Sequence, residues 1–272
     1  MPPADLAECL LPPALAALRD NREDGKEVCE AWVGVLIELL PSLGRDAGAR
    51  EVLQLALSKG QVDESVASRV LCCRLLGAVT PRLRREDVEA SYSAKMVALC
   101  QDTDYQVRVA ACQQLPALAR SLGEDGLRRQ LLEELAQLLE DEEVQVRAAA
   151  LACLADVVQW VGPELRAASL LPLIRGHMQP LGLEVPVQRS LAGLFPTILA
   201  AVRDQLAAGD AALFYSCFRH LAARPDAELR RACAAQLVPL MRAPLPGAAG
   251  SYFHDTWADM ALDHDEQASV IG

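Results

Sequence analysis

Residues 102–115 read DTDYQVRVAACQQL, and residues 141–154 read DEEVQVRAAALACL. The two stretches are 39 residues apart. At that spacing Asp102 falls on Asp141, Gln106 on Gln145, Val107 on Val146 and Arg108 on Arg147. Ala110, Ala111, Leu115 and Gly123 fall on Ala149, Ala150, Leu154 and Gly162. The same step backwards puts Asp63, Arg69, Val70, Cys73 and Leu76 under the first stretch. A further copy, DAELRRACAAQL, places Asp226 on Asp104, Arg230 on Arg108 and Leu237 on Leu115. A weaker one, VPVQRSLAGLFP, places Val187 on Val107, Gln188 on Arg108 and Phe195 on Leu115. A period near 40 residues lies in the range of HEAT and armadillo arrays.

Each copy reads as two helices. In residues 124–162 the first half carries Leu127, Leu131, Leu135, Leu138 and Leu139 at helical spacing. The acidic run Glu140-Asp141-Glu142 breaks the apolar pattern where the next helix begins, at the end of a helix that favours negative charge. The Ala-rich second helix then stops at Gly162-Pro163. One such hairpin cannot bury its own apolar faces, whereas stacked hairpins bury them on each other. The expected fold is all-α: a HEAT-type alpha-solenoid, an alpha-alpha superhelix of about six to seven helical hairpins. Hairpins are expected at 4–44, 46–80, 86–122, 124–162, 163–207 and 210–243, with a further first helix at 251–262. No strand is expected. The whole of 1–272 reads as one HEAT-repeat solenoid that ends inside a unit, as a truncated array would.

Composition narrows the function classes. Hydrophobic residues make up 52% of the chain but aromatic residues only 4%, so the core is aliphatic. The net charge is −11, which argues against nucleic acid and against an anionic membrane surface. The longest charge-free apolar run, 190–202, falls short of the roughly 20 residues needed to cross a bilayer. The nine cysteines form no CxxC pair and sit in apolar runs, which suits free thiols in a reducing compartment. Cys72 and Cys73 are expected to point to different sides of one helix. A cytoplasmic protein is expected.

No catalytic motif is present: no GxSxG, GxxxxGK, GxGxxG or HExxH. His177, His220, His254 and His264 are scattered. His254-Asp255 with Asp263-His264-Asp265 is the nearest approach to a metal cluster, and it reads as solvated polar residues. Phe214, Tyr215 and Phe218, with Trp257 nearby in sequence, read as core packing, with a peptide-binding groove as the alternative. Neither a cofactor, a metal nor a small-molecule substrate is expected.

The turns inside the hairpins are the better place for function. They gather along one edge of a solenoid, and they carry Asp20, Glu23, Asp24, Asp63, Glu64, Asp102, Asp104, the run 140–143, Asp226 and Glu228. This acidic stripe either meets a basic partner or merely solubilises the edge. The repeated Asp and Arg are expected to form a ladder, with direct partner contact as the alternative for Asp102, Asp141, Arg108 and Arg147.

The segments SRVLCCRLLGAVTPRL (68–83) and ALCQDTDYQVRVAACQQLPALARSLG (98–123) resemble the HEAT-repeat scaffold and regulatory subunits of type 4 and type 2A protein phosphatases. The resemblance runs from about residue 65 to 158. It implies a non-catalytic regulatory or scaffold subunit that binds a serine/threonine phosphatase catalytic subunit through its intra-repeat turns. Carried over, the partner-binding positions are Asp102, Thr103, Asp104, Tyr105 and Arg108, with Glu140, Asp141, Glu142 and Arg147 in the next unit. The competing readings are a HEAT adaptor or transport receptor unrelated to phosphatases, and a helical-repeat enzyme, for which no convergent polar cluster is found.

Overall fold

Asp104 begins a helix because its carboxylate accepts the Gln106 N–H at 2.8 Å, relieving one of the donors that a helix leaves open at its start. Ser65 does the same one hairpin earlier, accepting the Ser68 N–H at 3.1 Å. The computed structural model describes residues 3–19, 26–42, 47–179, 182–242 and 252–261, all helix, turn or short connection with no strand among them.

The helices match the expected hairpins. α1 (Pro3–Arg19) precedes α2 (Lys26–Leu39), and α3 (Ala47–Lys59) precedes α4 (Val66–Val79). The next first helix is broken into α5 (Arg85–Ser91) and α6 (Ser93–Cys100), and its second helix is α7 (Tyr105–Gly126). A π-type turn, Leu127–Leu131, leads into α8 (Leu132–Leu139), which precedes α9 (Val144–Trp160). α10 (Pro163–Leu165), a second π-type turn at Arg166–Leu170 and α11 (Leu171–His177) precede α12 (Val185–Val202). α13 (Ala208–Ala222), α14 (Ala227–Arg242) and α15 (Tyr252–Ala261) complete the order. This is the HEAT-type, all-α arrangement the repeat implies.

The chain divides into two compact units, Met1–Glu134 and Leu135–Gly272. In the first, second helices pack side by side: α4 lies on α2 and on α7. In the second, α12 lies between α9 and α14, and α15 packs on α13 and α14. Small residues allow the close approach. Ala110, Ala111 and Ala150 are buried, and a Cβ on Gly77 of α4 would collide with the side chain of Gln114 of α7. α12 with its continuation, Val185–Gln205, is long and apolar enough to cross a membrane by length and composition. Here its stripe of Val187, Leu191, Phe195, Ile198 and Leu199 is buried, as in a core helix between two neighbours.

The two aligned glycines do different work. Gly123 takes φ 70°, a left-handed conformation open to glycine, and so kinks α7 shortly before its end at Gly126. Gly162 is extended, at φ −67° and ψ 163°, and leads into Pro163 at the start of a helix. At the break between α5 and α6, Tyr92 leaves helical geometry, with φ −136° and ψ −21°. Its ring is fully buried, and its hydroxyl pairs with Thr80 Oγ1, which itself donates to Leu76 O at 2.6 Å.

Seven cysteines are buried, Cys29 is half-buried and Cys9 is exposed, all as free thiols. Cys72 faces Gly60 and Lys95, while Cys73 turns to the Val107 carbonyl, so the pair does point to different sides. Burial pushes the Cys72, Cys217 and Cys233 thiols up to about 12. Phe214 and Phe218 are core residues, with Phe195 and Phe253 edge-on or tilted against them; Trp257, by contrast, is exposed. Residues 263–265, Asp20, Glu23 and Asp24 lie outside the described residues.

Candidate functional site

The two quoted stretches fold into the same turn. Asp102 accepts the Asp104 N–H at 2.9 Å, and Asp141 accepts the Glu143 N–H at 2.9 Å. Six residues on, an arginine reaches back over each turn. Arg108 Nη1 donates to Asp102 O at 2.9 Å and to Thr103 O at 3.3 Å. Arg147 Nη1 donates to Asp141 O at 2.5 Å and to Glu142 O at 2.9 Å. Arg230 repeats the pattern on Arg224 O and Pro225 O, at 3.1 and 2.8 Å. Gln188, standing where the repeat has arginine, donates to Leu183 O at 2.6 Å. A guanidinium has enough donors to satisfy turn carbonyls and still pair with a carboxylate.

That second role makes the ladder. Arg69 holds Asp102 of the next hairpin through two bonds, at 2.7 and 2.9 Å. Arg147 holds Glu184 at 2.5 Å. Where Gln188 cannot form an ion pair, its neighbour Arg189 does, reaching Asp226 at 2.8 Å and also Glu228. Arg175 adds a two-point pair to Asp210, both bonds at 2.7 Å. Burial alone would raise the Asp102 carboxyl. The hydrogen bonds from Arg69 and the Asp104 N–H, with the charges of Arg69 and Arg108, outweigh that and hold it below the usual carboxylate range. Arg175, Arg189 and Arg147 likewise lower Asp210, Asp226 and Glu184, chiefly by hydrogen bonding.

The nine positions named from sequence therefore separate into two groups. Asp102, Asp104, Arg108, Asp141 and Arg147 build the turns and are buried or half-buried. Thr103, Tyr105, Glu140 and Glu142 are exposed and face outward from them. The expected ladder is present, with the refinement that Arg69 and Arg147 each meet their own turn through backbone carbonyls and the next hairpin through a carboxylate.

In the second unit the turns enclose an open cleft of about 580 Å³. It brings Glu140, Asp141 and Arg147 together with Glu184, His177 and His220, over a floor that includes Leu139, Met178 and Cys217. Three carboxylates face one guanidinium there, so the cleft is acidic. His177 sits with Nδ1 2.9 Å from Leu173 O and Nε2 3.6 Å from Glu140 Oε1. His220 bonds Ser216 O at 2.7 Å through Nδ1. Sequence reasoning left both histidines as scattered residues. Their helical positions at the ends of α11 and α13, each on the turn side, were the available signal. Among the described residues no group of three or more His, Cys, Asp or Glu is placed to hold a metal ion.

Residues 56–169 match the family described as sister chromatid cohesion protein PDS5. The chain is also similar to serine/threonine-protein phosphatase 4 regulatory subunit 4 of Homo sapiens and of Mus musculus, at 30% identity over 89 residues in both cases. That match takes in 33% of this chain and 10% of each relative. Among solved structures, the designed armadillo repeat protein YIII(Dq)4CqI aligns with 85% of this chain and 99% of its own, at a TM-score of 0.48 and 18% identity. Over a third of its length, then, the chain resembles a phosphatase regulatory subunit, on a HEAT-type helical repeat framework.

Proposed function

We propose that the chain is a non-catalytic HEAT-repeat regulatory or scaffold element that binds a serine/threonine phosphatase catalytic subunit of the type 4/2A class. The observation that carries this reading is the similarity to the phosphatase 4 regulatory subunit, at 30% identity over 89 residues. The geometry supports a binding role. The ladder spends its charged groups on rigidity, which leaves Thr103, Tyr105, Glu140 and Glu142 presented on ordered turns. Rigid presentation reduces the ordering cost of association. A cytoplasmic location belongs to the same proposal.

Affinity capture of the tagged full chain from cells tests it, read for phosphatase catalytic subunits and for released phosphatase activity. Recovery of a type 4 or 2A catalytic subunit is expected, with loss when Glu140→Lys and Glu142→Lys are combined. Recovery of basic cargo proteins without any phosphatase would favour the adaptor reading, to which the acidic cleft in the second unit is suited.

A further inference from the structure

The edge that reads as acidic in sequence changes sign at one end. The turn between α13 and α14 has a cleft of about 750 Å³ in the same position relative to its arginine as the acidic cleft has to Arg147. Arg219, Arg224 and Arg230 line it, with Pro225 on one side and Thr256 and Met260 of α15 on the other. Arg230 is fixed by its two carbonyl bonds to the turn. The side chains of Arg219 and Arg224 have no ion-pair or hydrogen-bond partner among the described residues. The nearest carboxylates in sequence, Asp226 and Glu228, are taken by Arg189. Of the other charged groups on these elements, His220 bonds Ser216 O, while Arg231, His254 and Asp255 are exposed and do not line the cleft.

In a chain of net charge −11, three guanidiniums around one cleft are a local device and not a general basic surface. We propose that this cleft binds a segment of a partner protein that carries phosphoserine or phosphothreonine. A phosphate brings about −1.5 to −2 charge and three acceptor oxygens, which suits several guanidiniums at once, whereas one carboxylate saturates a single guanidinium fork. The apolar side chains of Met260 and Pro225 in the lining suit the residues flanking the phosphate, which a free phosphate ion would not use. If the chain serves a phosphatase, such a segment is a substrate to be recruited; the binding itself does not depend on that reading.

The test is retention of a degenerate phosphothreonine peptide library, with three random residues on each side, on the immobilised full chain. Libraries with threonine and with glutamate at the central position are run beside it. Phosphate-dependent retention is expected. It should fall at least tenfold in the Arg219→Glu/Arg224→Glu variant and in the milder Arg219→Gln/Arg224→Gln variant, with unchanged helical circular dichroism. It should persist in Glu140→Lys/Glu142→Lys, which separates this site from the proposed phosphatase contact. No preference for the phosphothreonine library over threonine would overturn the proposal. So would equal retention of the glutamate library, or retention indifferent to both arginine variants.

Discussion

Arg69 on α4 and Asp102 in the turn before α7 form a two-point ion pair, Nε to Oδ2 at 2.7 Å and Nη2 to Oδ1 at 2.9 Å. Each side chain is only 11% exposed. Arg69 Nη1 also donates to Glu64 O at 2.6 Å, so one guanidinium joins its own turn to the next hairpin. Charged hydrogen bonds in such a setting contribute about 1.5–3 kcal/mol. Arg69→Ala should therefore cost about 2–3 kcal/mol. Arg69→Lys should recover little of it, because an ammonium cannot span both oxygens and the carbonyl. A double-mutant cycle with Asp102→Asn, read by urea unfolding, should give a coupling above about 1 kcal/mol. A coupling near zero would mean the rung is not a stabilising element.

Acid should loosen the ladder. Asp102, Asp210, Asp226 and Glu184 all have carboxyls held below their usual range. A depressed folded pKa gives stability that is present above the unfolded value, about 4 for these groups, and is lost as pH falls through the folded one. Melting temperature should be flat from neutral pH to about 5 and drop below about 4. Asp102→Asn should lower it at neutral pH and flatten the acid limb. An acid limb identical to that of the parent chain would remove Asp102 from this account.

Two glycines near the end of α7 should respond differently from ordinary helix positions. A Cβ on Gly126 would collide with the Cβ of Leu122, a buried atom with no room to swing away. Gly126→Ala should destabilise by about 1–3 kcal/mol, although alanine normally favours a helix. Gly123→Ala meets no close neighbour, yet is strained by its φ of 70° and should cost about 1 kcal/mol or more. Stabilisation by either substitution would contradict the observed backbone.

Thiol reactivity should track burial. With their thiols pushed up to about 12, Cys72, Cys217 and Cys233 stay protonated at neutral pH and are shielded as well. A thiol-reactive disulfide reagent should label Cys9 first and reach the seven buried cysteines only on unfolding. Rapid labelling of Cys72 in the folded protein would show that α4 is not packed as described.

The hairpin order was legible because leucine spacing and the Asp-to-Arg interval repeat on the scale of a helical pair. The ladder was legible in part: sequence shows which charges recur, but not that Arg108 and Arg147 would meet backbone carbonyls in their own turns. Gln188 looked like a lapse in the pattern. Only its bond to Leu183 O and the shift of the ion pair to Arg189 show how the pattern is kept. Gly123 and Gly162 align in sequence yet differ in conformation: Gly123 kinks α7 at φ 70°, whereas Gly162 is extended ahead of Pro163. Within the acidic stripe, Asp226 and Glu228 are paired with Arg189, while Arg219, Arg224 and Arg230 converge from three elements. Counting charges along a chain does not reveal which of them are paired.

The proposed contact is between ordered turns of this chain and a phosphatase catalytic subunit. The most direct measurement is isothermal titration of the purified full chain with a purified type 4 phosphatase catalytic subunit, repeated with the Glu140→Lys/Glu142→Lys variant and with Tyr105→Ala. Saturable binding is predicted, weakened at least tenfold by the charge reversals with the fold intact. No binding by the parent chain, or binding untouched by any of these substitutions, would contradict the account.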